Sequence, residues 1–222
     1  MNNQNNKSLI FSIVILSLVI VALVYFLIKN PSQGQKQNTT PNISNNTQNS
    51  NPHDHGGARI ATDNTLLNSL VGKAMPAISL EDKDGKVYTP ADLKGKTVVL
   101  FFNEGLMCYP ACWNQMAAFG SDKRFNNDNT QAISIVVDPA KDWQKAIDKM
   151  PELAKTKTMF DIGANASKQL GLLTTDSSMH KGSLPGHTYI IIDKEGMVRY
   201  VFDDPNMAIA NDMLSNKIEG LK

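Results

Sequence analysis

The sequence predicts an α/β domain built on a mixed central β-sheet flanked by helices and carried behind one N-terminal transmembrane helix. Three observations predict it. An uncharged stretch of 21 residues fills positions 8–28. Beyond residue 61, strand-like and helix-like segments alternate and close on an antiparallel hairpin, the order found where helices cover a mixed sheet. The most continuously apolar of those segments, Thr97–Phe102, leads directly to Cys108 and Cys112, the only cysteines in the chain.

In chain order, residues 1–7 form a short polar tail. Residues 8–28 as a helix are long enough to cross the roughly 30 Å apolar core of a bilayer. No small-residue cleavage site follows at Phe26-Leu27-Ile28-Lys29-Asn30, so the segment reads as a retained anchor rather than a removed leader. Lys7 and the amino terminus on one side balance Lys29 and Lys36 on the other, and charge leaves the orientation open. Residues 29–60 are mostly Asn, Gln, Ser, Thr, Pro and Gly, with Ile43, Ala58 and Ile60 as the aliphatic residues. Such a segment cannot bury enough apolar surface to offset the entropy of ordering, which predicts a flexible tether. His53-Asp54-His55 lies within it, and an isolated pair of histidines lacks the preorganisation that gives metal affinity.

Residues 61–222 suffice for one core. Of the chain's 22 basic and 21 acidic residues, Lys7, Lys29, Lys36, Arg59 and Asp54 precede residue 61, which leaves 18 and 20 in the domain. That near-neutral balance excludes nucleic acid as a partner.

Within the domain, Asn64–Leu70 reads as a short helix after Thr62 and Asp63, broken at Gly72 to Pro76. Ile78-Ser79-Leu80 and Val87-Tyr88 flank the turn signal Asp82-Lys83-Asp84-Gly85 as a small hairpin. Thr97–Phe102 is apolar at every position after the first, as a central strand covered on both faces requires. A helix through Trp113–Phe119 ends at Gly120, and Ala132–Val137 is a second apolar strand. Trp143–Met150 reads as helix before Pro151, Thr156–Phe160 as a strand, and Ala164–Leu170 as a helix closed by Gly171. Leu172–Gly186 reads as a loop. Thr188–Ile192 and Val198–Phe202 flank Asp193-Lys194-Glu195-Gly196 as a hairpin, and a last helix covers Met207–Leu221. The alternation by itself fits several mixed α/β folds.

The thiols carry the functional reading. A strand that ends in a short loop and opens a helix presents Cys108 and Cys112 at a helix N-terminus, where backbone N–H groups and the macrodipole favour thiolate. Thiolates serve both redox exchange and soft-metal binding. In a regular helix the i and i+4 Cβ atoms lie roughly 5–6 Å apart, slightly wide for a disulfide, and modest unwinding of the first turn closes the gap. Pro110 suits that first turn. Cys108, on the loop expected to expose it, would be the attacking thiol and Cys112 the resolving one. Glu104 is expected to solvate the loop, with proton acceptance as its other reading, and His180 to lie in solvent. Met116 reads as core and Trp113 as packing beneath the site, while Met107 flanks the thiols.

Gly72 to Leu80, Asp84-Gly85-Lys86, Leu93-Lys94-Gly95-Lys96, the strand into Cys108, Phe160-Asp161, Leu170-Gly171 and the hairpin Thr188–Gly196 together resemble the redoxin branch of the alkyl hydroperoxide reductase and thiol-specific antioxidant superfamily, over about residues 70–215. The resemblance implies a thioredoxin-like fold and an antioxidant or thiol-disulfide oxidoreductase activity. Departures from the pattern are informative. A peroxiredoxin places a proline seven residues and a threonine or serine three residues before its peroxidatic cysteine, and here those positions are Phe101 and Gly105. The arginine that usually activates that cysteine corresponds to His187. The three-residue spacing in Cys108-Tyr109-Pro110-Ala111-Cys112 resembles instead the Sco-type copper chaperones, whose distal histidine would be His187.

These observations lead to a membrane-tethered thiol-disulfide oxidoreductase acting through Cys108 and Cys112, with His187 at the site. Its domain is expected on the extracytoplasmic side, where a disulfide persists, its partners are protein thiols or disulfides, and it needs no cofactor. The alternatives are a copper-binding metallochaperone using Cys108, Cys112 and His187, an atypical thiol peroxidase, and a partner-binding domain that has lost catalysis.

Overall fold

The computed structural model describes residues 60–221. The expected anchor at 8–28 and all but the last residue of the expected tether, including His53 and His55, lie outside them. Among the described residues no helix is long and apolar enough to cross a membrane.

Seven strands form one sheet in the order β2-β1-β5-β4-β3-β6-β7, where β1 is Leu80–Glu81, β2 Val87–Tyr88, β3 Thr97–Phe102, β4 Thr130–Val136, β5 Lys157–Phe160, β6 Thr188–Ile192 and β7 Val198–Asp203. The sheet is mixed, as the sequence predicts. β3, β4 and β5 run parallel, joined by helical crossovers through α2 (Ala111–Ser121) and α3 (Ala140–Lys149). β6 returns antiparallel to β3, and β7 pairs with β6 across a connection one residue longer than expected, Asp193–Met197. There the Asp193 side chain accepts from the backbone N–H groups of Glu195 and Met197 at 3.0 and 2.8 Å.

Period-two alternation in the central strands sends side chains to two separate cores. Val99 and Phe101 of β3 join Tyr189 and Ile191 of β6 beneath α2, α3 and α5 (Asn211–Glu219). Val98, Leu100 and Phe102 join Ile190 and Ile192 on the opposite face, covered by α1 (Thr65–Asn68), α4 (Asn165–Gln169) and the segment through Leu172. Each fully buried large aliphatic or aromatic side chain contributes about 1.5–3 kcal/mol, so a strand that is apolar on both faces belongs at the centre of the sheet. The site-bearing layer is the first of these two.

The expected elements are present with shifted ends. The shift that matters for the site concerns the thiols: Cys108 is not in a helix but closes a separate 3-10 turn, Gly105–Cys108, and α2 begins only at Ala111 after Pro110. The final helix also starts four residues later than expected, because Met207 adopts φ +51°.

Candidate active site

The C-terminal end of β3, where the parallel strand hands over to its helix, is the place at which α/β sheets present functional groups. Here it presents Cys108 and Cys112, joined in a disulfide with Cα atoms 5.4 Å apart. Two cysteines in one regular helical turn would sit poorly for such a bond. Taking Cys108 out of the helix resolves the mismatch, and several groups hold it there. Asn103, itself fully buried, accepts from Gly105 N–H at 2.9 Å and donates to Ile135 C=O at 3.2 Å. Asp138 accepts from Leu106 N–H at 3.0 Å, with burial pushing its carboxyl above the usual carboxylate range. Trp113 Nε1–H donates to Gly105 C=O at 3.1 Å. Gly105 turns the chain at φ +59°, and a Cβ there would collide with the Asp138 carboxylate. The same position is where a peroxiredoxin carries its hydroxyl, so the turn geometry and that hydroxyl exclude one another in this chain.

The sulfurs are less accessible than the sequence suggests. Cys108 is 2% exposed and Cys112 fully buried, which corrects the expectation of an exposed attacking thiol. The reason is packing: both belong to the core cluster with Phe101, Trp113, Met116 and Tyr189. Solvent is nevertheless one residue away, since Met107 and Tyr109 on either side of Cys108 are 59% and 68% exposed. Tyr109 stands edge-on to Trp113 with ring centres 4.9 Å apart, and its peptide bond to Pro110 is cis. An open groove of about 610 Å³, lined by Leu106, Tyr109, Trp113, Asn114, Lys149 and Met150 among others, runs beside this turn.

His187 lies immediately before β6 and is brought to the thiols across 75 residues of sequence. Its Nδ1 is 3.4 Å from Cys112 Sγ, and its Nε2 is 2.7 Å from the Tyr189 hydroxyl. The ring packs edge-on against Phe101 at 4.6 Å, while Phe101 stacks on its direct cross-strand partner Tyr189 at 4.8 Å. Burial drives the His187 pKa down from 6.5 to about 4, against the smaller pull of Asp204 and Asp203. The same desolvation pushes the Tyr189 phenol upward. The ligand atoms of Cys108, Cys112 and His187 all lie within 4.8 Å of one another. In the reduced state two thiolates and Nδ1 would therefore suit a soft ion.

Glu104 does not solvate the loop. It is 1% exposed, and its carboxylate accepts from Met179 N–H at 2.7 Å, His180 N–H at 3.1 Å and His180 Nδ1–H at 2.8 Å. A carboxylate can only accept, so His180 carries its proton on Nδ1 in this contact. His180 is itself exposed, as expected. Glu104 thus ties the Leu172–Gly186 segment to the first residues after β3. Farther along, Ser177 and Thr188 hydroxyls both donate to Asp203, and Gly186 fits between Thr175 and Ser177, where a Cβ would clash. Trp113 and Met116 take the packing positions expected of them. Tyr189 and Asn103 escape a reading of the sequence that looks for cysteine, histidine and carboxylate. The available signal for Tyr189 is that it stands two residues beyond His187, the spacing that puts two side chains on one side of an extended chain.

The AhpC/TSA family profile matches residues 71–201. The chloroplastic peroxiredoxin Q of Triticum aestivum is 32% identical over 139 residues, spanning 60% of this chain and 58% of that protein. A peroxiredoxin of Nanoarchaeum equitans (strain Kin4-M) is 24% identical over 131 residues, spanning 59% of each. The chain thus covers about three fifths of the length of these curated relatives. Among solved structures, Enterococcus faecalis AhpC matches with a TM-score of 0.58 at 15% identity over 68% of this chain and 91% of that one. The peroxidoxin BcpB of Mycobacterium tuberculosis matches with a TM-score of 0.56 at 20% identity over 68% and 97%. At those identities the likeness to solved structures carries the thioredoxin-like fold alone.

Glu104→Ala should free the Met179 and His180 amides and destabilise the fold by about 1–3 kcal/mol, with faster amide hydrogen exchange confined first to residues 172–186. Glu104→Gln, which keeps an acceptor for both amides, should retain most of that protection. His187 gives a pH dependence. Its unfolded form gains a proton below pH 6.5 that the folded form resists until about pH 4. Its contribution is therefore complete above pH 6.5, is lost as pH falls towards 4, and levels off below. The loss is on the order of 3 kcal/mol, and urea unfolding across that range should show it in the wild type and not in His187→Asn.

Proposed function

The chain belongs to the AhpC/TSA family, and from that premise we propose that it is a thiol-disulfide oxidoreductase whose working pair is Cys108 and Cys112. The observation that carries this reading is the bond between those two sulfurs at the strand-to-helix junction. Cys108 is the sulfur that meets the partner and Cys112 the one that closes the internal disulfide. Among the described residues, His187 is the side chain with a nitrogen within hydrogen-bonding reach of Cys112. Because both sulfurs are buried, exchange requires the Gly105–Cys108 turn to move aside, with Met107 and Tyr109 as the surface a partner meets first. Protein thiols or disulfides are the proposed partners, and the open groove along Leu106, Tyr109 and Trp113, which flank Cys108 in the chain, is the surface proposed to receive them.

We further place residues 8–28 in a membrane and residues 29–60 as a tether that holds the domain on the extracytoplasmic side. This placement rests on the uncharged 21-residue stretch and on the persistence of disulfides outside the cytoplasm. Peroxide is a poorer substrate on this reading. The turn lacks the hydroxyl at Gly105, and the neutral ring of His187 stands where an arginine would supply a fixed cation.

A second reading is favoured by one observation, the convergence of three soft or borderline ligand atoms within 4.8 Å. In it, reduced Cys108 and Cys112 with His187 Nδ1 carry copper as cargo, and the softness of paired thiolates would suit Cu(I).

Equilibration of the full-length protein with glutathione should give a reduction potential between roughly −120 and −270 mV. Cys112→Ser should trap partners as mixed disulfides on Cys108, while Cys108→Ser should not. A disulfide that never equilibrates would overturn the proposal, and peroxide consumption faster than that of a free thiol would move the chemistry to peroxidase. Copper titration of the reduced protein decides the second reading: stoichiometric binding lost in His187→Ala supports it, and binding indifferent to that change excludes it.

A further inference from the structure

Tyr189 has no part in the chemistry described so far, yet it is fully buried and ends in a hydroxyl that needs a partner. Among the described residues its hydrogen-bond partner is His187 Nε2, at 2.7 Å. A buried O–H left without an acceptor is unfavourable, whereas a phenol oxygen left without a donor is tolerated far better. Tyr189 therefore donates, and Nε2 accepts. A neutral imidazole carries a single N–H, so the proton of His187 sits on Nδ1, the nitrogen 3.4 Å from Cys112 Sγ. Phe101 packs edge-on against the His187 ring and stacks on Tyr189, so both partners of this hydrogen bond lie against the same side chain.

We propose that Tyr189 is a positioning residue that fixes the His187 tautomer, and that the resulting Nδ1–H selects Cys112 as the leaving sulfur when the disulfide is reduced. This inference rests on the exchange reading above and specifies which sulfur is attacked. A thiolate of a partner dithiol bonds to Cys108 Sγ. The Cys108–Cys112 bond breaks, and its electron pair passes to Cys112 Sγ, where the new thiolate accepts the Nδ1–H hydrogen bond. The partner's second thiol loses its proton and attacks the partner sulfur of the mixed disulfide, releasing Cys108 as a thiolate that takes up a proton. The partner leaves as a disulfide, oxidised by two electrons, and this protein is left reduced, with Cys108 as the thiol and Cys112 as the thiolate. Attack at the other sulfur would place the developing charge on Cys108, which has no such donor within hydrogen-bonding distance among the described residues.

The test uses the full-length protein labelled with ¹⁵N-histidine, with the His187 signals identified by their loss in His187→Asn. Two-bond ¹H–¹⁵N spectra of the oxidised wild type near neutral pH should show the Nδ1–H tautomer, and those of Tyr189→Phe a shift towards Nε2–H. Glutathione equilibration of Tyr189→Phe should disfavour the reduced form about tenfold, which for a two-electron couple is about 30 mV. The same substitution on the His187→Asn background should change the equilibrium no further. An Nε2–H tautomer in the wild type overturns the proposal even if Tyr189→Phe does not fold. An equal effect of Tyr189→Phe on both backgrounds reduces Tyr189 to a structural role and also overturns it. A wild-type disulfide that never equilibrates removes the exchange reading itself, whatever the tautomer.

Discussion

The turn Gly105–Cys108 is held from three directions, by Asn103 from the end of β3, by Asp138 from beyond β4 and by Trp113 from α2. That clamp sets the geometry of everything around it. It lifts Cys108 out of helical register far enough to bond Cys112, and it draws Glu104 inward to anchor the Met179–His180 segment. Neither consequence would survive a chain that entered its helix directly after the strand. Gly105 is the residue on which the clamp turns, because its positive φ and the proximity of the Asp138 carboxylate both exclude a side chain.

Burial then decides the chemistry that the clamped sulfurs can do. Cys108, Cys112, His187 and Tyr189 lie in an apolar layer with Phe101 and Met116, where unpaired charge is expensive. The imidazole is consequently neutral near pH 7, and acts through the direction of one N–H rather than through a positive charge. This separates the site from one built around an arginine, which cannot lose its charge. It also sets the two readings of the site against each other physically. An Nδ1 that carries a proton towards Cys112 must lose it before that nitrogen can ligate copper.

The sheet, its two central strands and the hairpin were legible in the sequence. Thr97–Phe102 and Thr188–Ile192 lie where their apolar runs predicted, because a strand buried on both faces advertises itself without reference to any other part of the chain. Helix ends were less legible. The start of the last helix depends on the positive φ of Met207, and that of α2 on a turn fastened in part by Asp138, 32 positions beyond Leu106. His187 was found through family resemblance and not through periodicity. The burial of Glu104 is not legible, because a carboxylate beside a loop is usually solvated and nothing local shows that the loop from Leu172 folds over it.

Residue order alone establishes the kind of atoms available, two thiols at the end of a central strand, and the order of elements that carries them. Those properties are local, encoded in composition and in repeats of two and 3.6 residues. Tertiary structure decided which sulfur faces a histidine, which nitrogen of that histidine faces it, and that both sulfurs are covered. Each depends on β6 packing against β3 and on a loop closing over the turn, contacts between residues some 75 positions apart. Such contacts form only when the core assembles, and no window of sequence contains both partners.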